Sequence, residues 1–284
     1  MWCFLALTVQ IPDPQLGQKG NQAMIHLADC SSKSLDLNRS VSLTLKHLMG
    51  VASLAQLDSG ERERLENVRW IAREVDRNCS LFGQGQDRET VLVLLSGWAF
   101  RYQTLPDGKR QILDFVFAGS LLGFGSGSTY SYGVETVTDC TVASLPHGQF
   151  RRLLATCPTL AMQVVERVSD SEMRAHEHMT SLGRRSARER IASLIVELAS
   201  LSHCKDLGMS KYSIDLPVTQ IMIGDALGLS NEHVCRILGK LAKDRVIEIS
   251  HHTLKVLNQV ALSREAGADP KGQGFVGSPL PVAA

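Results

Sequence analysis

Residues 216–249, LPVTQIMIGDALGLSNEHVCRILGKLAKDRVIEI, constrain this chain more than any other stretch, because two helix-type apolar patterns meet there across one glycine and one serine. Thr219 follows Pro217–Val218 and can cap a first helix, its hydroxyl accepting from an otherwise unpaired first-turn N–H. Ile221, Ala226, Leu227 and Leu229 supply apolar packing positions. Gly228 ends that helix, since a residue without Cβ adopts the left-handed conformation a helix end often needs. Ser230 then caps a second helix bearing Asn231, Glu232, His233, Cys235, Arg236, Lys240 and Lys243, while Val234, Ile237, Leu238 and Leu241 recur at helical spacing on one side. An anchored back with polar side chains near the N-terminus of the front is the layout of a helix that enters the DNA major groove. An ordinary helical hairpin is the alternative.

Two short β-type runs, Val246–Ile249 and Leu254–Leu257, follow and are joined by Ser250–Thr253. A hairpin directly after such a helix makes a winged helix-turn-helix, its tip near the phosphates. Between Gly183 and Asn258 eleven Lys/Arg face eight Asp/Glu, a mild local excess that suits DNA. The whole chain carries a formal charge of only +1, which argues against a non-specific basic coat but not against a site-specific binder.

At 284 residues there is room for two domains, and 44% apolar with 21% charged residues is the composition of a soluble globular protein. The seven cysteines (Cys3, Cys30, Cys79, Cys140, Cys157, Cys204, Cys235) are scattered and form no C-x-x-C pair. Neither a zinc site nor a disulfide framework is signalled, and a reducing cytoplasm is the expected compartment. Residues 1–9 are apolar but lack a basic leader region and stop at Ile11-Pro12-Asp13-Pro14, so no signal peptide is expected. No run of about 18 apolar residues predicts a membrane span. Residues 1–45 are read as a flexible arm and 263–284, rich in Gly, Pro and Ala, as a flexible tail.

From Val68 to Leu145 short β-rich runs alternate with glycine turns: Ser80–Phe82, Thr90–Leu95, Trp98–Gln103, Gln111–Phe117, Val134–Val137 and Thr141–Leu145. Pro106-Asp107-Gly108 marks a hairpin, and the spacing predicts a β-barrel or jelly roll within residues 46–157. Asp58 and Glu61 form a capping pattern before it. Residues 158–182 predict one long helix with Pro158 in its first turn. Ala161, Val165, Val168, Glu172, Ala175, Met179 and Leu182 recur at spacings of four and three, a heptad seam broken only at Glu172. That seam serves either a dimer coiled coil or packing on the chain's own barrel. Ser186 and Glu189 form a second capping box, which places a hinge at Gly183–Arg185 and a DNA-binding domain at 183–262.

The segment LPVT (216–219), IGDALGLS (223–230), Glu232-x-x-x-Arg236 and ILGKL (237–241) resembles the DNA-binding end of the Crp/Fnr family of bacterial transcription regulators, and the likeness extends upstream to about Ala52. The resemblance implies an α+β fold: an N-terminal cyclic-nucleotide-binding-like β-barrel (jelly roll), a long dimerisation helix through Ala161, Val165, Val168, Ala175, Met179 and Leu182, and a C-terminal winged helix-turn-helix. FVFAGSLLGF (Phe115–Phe124) is the most recognisable piece of the barrel. Thr219, Ser230, Asn231, Glu232, His233, Cys235, Arg236 and Lys240 are then the DNA-contacting set. The Fnr branch typically carries Glu-x-x-Ser-Arg; this chain has Cys235 where the Ser stands. By the same likeness the partners are double-stranded DNA, as a TTGA-like inverted repeat, a second copy of the chain, and RNA polymerase, with no membrane.

No cofactor is expected. Cyclic-AMP-binding members place a Glu and then an Arg-Ser pair in the loop that matches Gly123–Thr136, but this loop contains no Arg or Lys and its only carboxylate is Glu135. An iron–sulfur cluster normally needs four thiolates, and the arm offers only Cys3 and Cys30. Haem ligation by His26, His47 or His147 has no supporting pattern. The chain therefore resembles the cluster-lacking, FixK-like members, with an unidentified signal for which oxygen or redox state are candidates. Cys235 is the redox candidate, because Arg236 and the helix dipole both favour its thiolate; the alternative is a small neutral DNA contact. A small-molecule-binding or enzymatic barrel with an incidental helical tail is the competing class, but no Ser-His-Asp set, phosphate loop or metal-spaced cluster supports it.

Overall fold

The computed structural model describes residues 44–50, 54–202, 205–208, 211–250 and 252–267. The expected arm (1–45) lies outside the described residues up to residue 43. Its last two residues belong instead to a helix, α1, over 44–50. Leu45, Leu48 and Met49 are buried there, and Arg167 donates to the carbonyls of Leu48 (2.7 Å) and His47 (2.8 Å). The helix α2 (Ser59–Glu66) starts at the expected capping box, with Asp58 accepting from the Glu61 N–H.

Eight strands then form two four-stranded antiparallel sheets. The first runs β1 (Ile71–Val75), β8 (Cys140–Pro146), β3 (Thr90–Ser96), β6 (Leu121–Leu122). The second runs β2 (Ser80–Phe82), β7 (Gly133–Thr136), β4 (Ala99–Thr104), β5 (Arg110–Val116). No ladder joins the two among the described residues, so the jelly roll is a sandwich rather than a closed barrel. All six strands read from the sequence are present. β1 was not among them: IAREV carries two charges in five residues, yet Ala72 and Val75 point inward. Phe82, Leu94, Leu122, Tyr130, Val134 and Val142 fill the space between the sheets. On the outer face of the first sheet, Trp70, Phe150, Leu160 and Val164 form a second core with the flanking helices.

Helix α3 (His147–Thr156) leads into α4 (Pro158–Arg184), which is two residues longer than expected. The chain leaves the helical conformation at Arg185 (ψ 148°), and Ser186 caps α5 (Ala187–Leu201) through the expected box. The break is thus at Arg185–Ser186, and Gly183 is helical. Two strands absent from the sequence reading, β9 (Lys205–Gly208) and β10 (Lys211–Asp215), precede the two helices α6 (Gln220–Leu227) and α7 (Asn231–Lys243). The wing, β11 (Ile247–Ser250) and β12 (Thr253–Val256), joins them in the order β11-β12-β10-β9.

A last helix, α8 (Gln259–Glu265), is capped by Asn258 and buries Leu262. Residues 263–267, expected in the tail, therefore belong to the DNA-binding domain, tied to it by Arg188 on Glu265 at 2.8 Å. The rest of the expected tail lies outside the described residues. Cys79, expected as a reduced thiol, is disulfide-bonded. Cys140, Cys157 and Cys235 are free.

Candidate nucleic-acid interface

The two-helix unit is built from local rules. Thr219 accepts from the Met222 N–H at 3.2 Å and Ser230 from the His233 N–H at 3.3 Å, so each cap acts as read from the sequence. Gly228 sits at φ 65°, ψ 38°, the left-handed end of α6. The close approach that sets the angle between the helices was not legible: a Cβ on Gly224 would lie 2.6 Å from the Leu229 carbonyl. That carbonyl belongs to the turn itself, and Leu229 in return donates to the Gly224 carbonyl at 3.1 Å. The expectation for Ile221 fails, since it is 60% exposed while its neighbours Met222 and Ile223 are buried. At helical spacing, one face takes 222, 223, 226 and 227, and position 221 falls outside it.

Val234, Ile237, Leu238 and Leu241 are the buried residues of α7. They fix its back and turn Asn231, Glu232, Cys235, Arg236, Lys240 and Lys243 to solvent, with His233 half-buried. None of those charged side chains forms an ion pair among the described residues, although Glu232 and Arg236 lie one turn apart. An exposed carboxylate and guanidinium left unengaged on a helix face, beside two lysines, are free to meet base edges and phosphates. The wing tip lies between Ser250 and Thr253, which pair in register.

The face of α6 away from α7 leans on the sensor sandwich. Its terminal carbonyls, which no intrahelical donor can reach, are taken up from three directions. The Ala226 carbonyl accepts from Gln111 Nε2 at 3.0 Å and lies 3.2 Å from His178 Nε2, and the Leu227 carbonyl accepts from Arg190 Nη1 at 3.2 Å. Burial holds the His178 pKa below its ordinary value, with the Ala226 contact opposing. Phe100, Ile112 and Phe115 of the sandwich share one apolar cluster with Ile223, Ala226 and Leu227.

On α4, Leu160, Val164 and Ser181 face inward. Along the expected seam Val165 is 59% exposed, Val168 52% and Met179 59%. Ala175 and Glu172 are also exposed, and Ala161 and Leu182 half-buried. Met162, 58% exposed, flanks the seam and was missed. The alternative of a seam packed on its own barrel does not describe these residues; α4 uses its other face for that.

The sandwich, the long helix and the winged two-helix unit define a two-domain regulator of the DNA-binding type. The family model for the cyclic nucleotide-binding domain matches residues 72–157, and that for the Crp-like helix-turn-helix domain matches 189–265. Among relatives, the transcriptional activatory protein AadR of Rhodopseudomonas palustris is 30% identical over 83% of this chain and 96% of its own length. The transcriptional activator FnrL of Cereibacter sphaeroides is 30% identical over 78% and 90%. Among solved structures, FixK2 of Bradyrhizobium japonicum aligns with a TM-score of 0.64 at 24% identity, covering 71% of this chain and all of that one. The chain belongs to the Crp/Fnr family of transcription regulators. Its relatives are regulators rather than enzymes, which sets aside the enzymatic-barrel alternative. Among the described residues no helix is long and apolar enough to cross a membrane.

Proposed function

We propose that the protein is a homodimeric, sequence-specific transcription regulator that reads a TTGA-like inverted repeat and acts with RNA polymerase. The observation that carries this reading is the outward, unengaged pair Glu232 and Arg236 on a helix capped by Ser230. Glu accepts from a cytosine amino group and Arg donates two bonds to guanine in the major groove. Asn231, His233 and Cys235 share the same first turns, while Thr219 and Lys240 lie nearer the phosphates. A repeat with two-fold symmetry needs a two-fold protein, and the exposed stripe of Val165, Val168, Ala175 and Met179 supplies a self-complementary face.

We keep the sensor domain free of a cyclic nucleotide in this reading. Tyr130, 5% exposed and stacked on Phe82 at 3.9 Å between centroids, is part of the apolar core that fills the space between the sheets. Glu135, the one carboxylate of the loop, is engaged with Arg110. The filled space between the sheets and the paired Glu135 support that reading. The signal is read as redox- or oxygen-linked, with Cys235 as its candidate input.

The deciding experiment is a gel shift of the full chain on duplexes carrying a TTGA-containing inverted repeat, the same repeat with one half-site scrambled, and unrelated DNA. The expected result is preferential binding of the intact repeat at physiological salt. Equal retardation of all three duplexes rejects the proposal.

A further inference from the structure

Helices α4, α5 and α6 meet around a small cavity close to the Arg185–Ser186 break. Glu177, His178 and Ser181 line it from α4, Ser193 and Glu197 from α5, and Leu227 from α6. Its volume is about 10 Å³, room for one water molecule. Ser181 is 3% exposed and its hydroxyl has no hydrogen-bond partner. The Glu197 carboxyl is half-buried and makes no hydrogen bond or ion pair among the described residues. The cations around it are engaged elsewhere. Arg185 holds Glu177 at 2.5 Å and Ser193 Oγ at 2.9 Å. Arg190 donates to the Arg185 and Leu227 carbonyls at 2.9 and 3.2 Å. Arg101 on β4 grips both carboxylate oxygens of Asp114 on β5, and Arg110 holds Asp225 on α6 at 3.0 Å. Arg174 on α4 faces Glu197, against the carboxylates of Asp114 and Glu177.

A neutral carboxyl suits this place, since its O–H can donate to Ser181 Oγ through the one water that fits. An ionised carboxylate cannot keep its hydration shell in so small a space. It regains water when α5 parts from α4 and α6. Parting them also frees the end of α6, because the Ala226 carbonyl lies 3.2 Å from His178 Nε2 on α4 and the Leu227 carbonyl accepts from Arg190 on α5. We propose that this joint is a proton-gated latch: with Glu197 protonated it holds α6, and through it α7, in one orientation, and with Glu197 ionised it lets them go. A fixed α7 pays less ordering cost on meeting DNA, so the latch tunes operator affinity, a consequence that rests on the sequence-specific DNA reading proposed above. The sign follows from burial, which raises the Glu197 pKa from 4.5 to about 7. Closure is most favoured below 4.5, weakens as pH rises toward 7, and changes no further above it.

The test is hydrogen exchange of the Gln220–Leu227 amides in full-length wild type and Glu197→Gln, compared at pH 5.5 and again at pH 7.5. Comparison at equal pH cancels the intrinsic exchange rates and the titration of His178, which both proteins share. Wild type is expected to exchange faster than the variant, by a factor that grows about tenfold from the lower pH to the higher. Its operator affinity relative to the variant should fall over the same range, by at most that factor. Glu197→Leu, also neutral at every pH, serves if the glutamine variant does not fold by circular dichroism. An exchange gap that does not grow with pH, or one that grows with no fall in relative operator affinity, overturns the proposal. If neither protein prefers the operator at either pH, the DNA reading is what fails, and the exchange gap alone decides the latch.

Discussion

Arg110 reaches Asp225 across the boundary between the sensor sandwich and the DNA-binding domain, its Nε and Nη2 lying 3.1 and 3.0 Å from one carboxylate oxygen. The same guanidinium sits 3.3 Å from Glu135 and 4.9 Å from the centre of the Phe100 ring. Asp225 lies in α6, the helix that positions α7, so the pair ties the orientation of the reading helix to β5. Both side chains are a little over a quarter exposed, which places their coupling between surface and buried values. Arg110→Ala is expected to cost about 1 kcal/mol. It should also speed hydrogen exchange within Gln220–Leu227 relative to α5. Unchanged exchange in α6 would show that the pair does not hold the domains together.

Arg236 and Lys240 should fail differently when removed. Arg236→Ala is expected to lose about 1–3 kcal/mol on the preferred operator and to relax selectivity at one base pair of each half-site. Lys240→Ala should weaken binding to all sequences alike and reduce the salt slope by about 1 per subunit. Competition binding with single-base operator variants, repeated at three salt concentrations, separates the two. Equal selectivity in wild type and Arg236→Ala would refute the assignment.

A lysine at Val168 is the sharpest probe of the seam. Val168 is half-exposed in the single chain, so the substitution spares the protomer's own core. In a parallel pair of α4 helices it would set two ammonium groups against each other in an apolar stripe. Val168→Lys is expected to sediment as a folded monomer and to lose operator binding. A variant that still sediments as a dimer would move the interface elsewhere.

The parts of this protein that could be read ahead of its structure are those governed by near neighbours in sequence. Thr219, Ser230, Asp58 and Ser186 cap where their spacing to the next polar or apolar residue says they should. The buried stripe of α7 follows its 3.6-residue period, and six strands follow their glycine turns. What escaped depends on contacts distant in sequence. Arg88 reaches a loop about forty residues away, Arg110 meets Asp225 over more than a hundred, and Gly224 is dictated by a backbone carbonyl of the following turn. Ile221 looked apolar enough for a core position, but the face it occupies is left to solvent. β1 and β10 are short and charge-bearing, and acquire their inward faces only from the partners that pair with them.

Peroxide should act on the DNA-binding helix through Cys235. Among the free thiols, Cys140 and Cys157 are buried and Cys235 is exposed. Burial also pushes the Cys140 thiol up to about 11, away from the thiolate that peroxide oxidises. Two successive oxidations of Cys235 by peroxide, each releasing water, give a sulfinate. A negative charge then sits one residue from Arg236, against the phosphates. Repulsion at ~4 Å is worth about 1–4 kcal/mol between water and a protein surface, a loss of roughly one to three decades in affinity. Wild type and Cys235→Ser are to be treated in parallel and their operator affinities compared. Equal losses would exclude Cys235 as the input.

The stability of the joint between α4 and α5 should carry a pH signature from Glu197. Burial, chiefly, raises its pKa to about 7; Asp114 on β5 and Glu177 on α4 add to the rise, and Arg174 on α4 opposes it. The folded protein therefore holds a proton on Glu197 that the unfolded chain releases near 4.5. Stability from this group is greatest below the unfolded value, falls as pH rises toward 7, and is flat beyond. His178, whose pKa burial lowers, has the opposite slope: its neutral form is favoured in the fold, so its contribution grows as pH rises toward 6.5. Comparing wild type with Glu197→Gln cancels the histidine, present in both. The amide keeps the shape of the protonated acid, so the two proteins should be nearly equally stable at pH 5. By pH 7.5 the variant should lead by up to ~3 kcal/mol, the equivalent of the shift. Urea unfolding at the two pH values checks this. A gap between the proteins that does not widen with pH would mean that Glu197 ionises in the folded state as freely as in water.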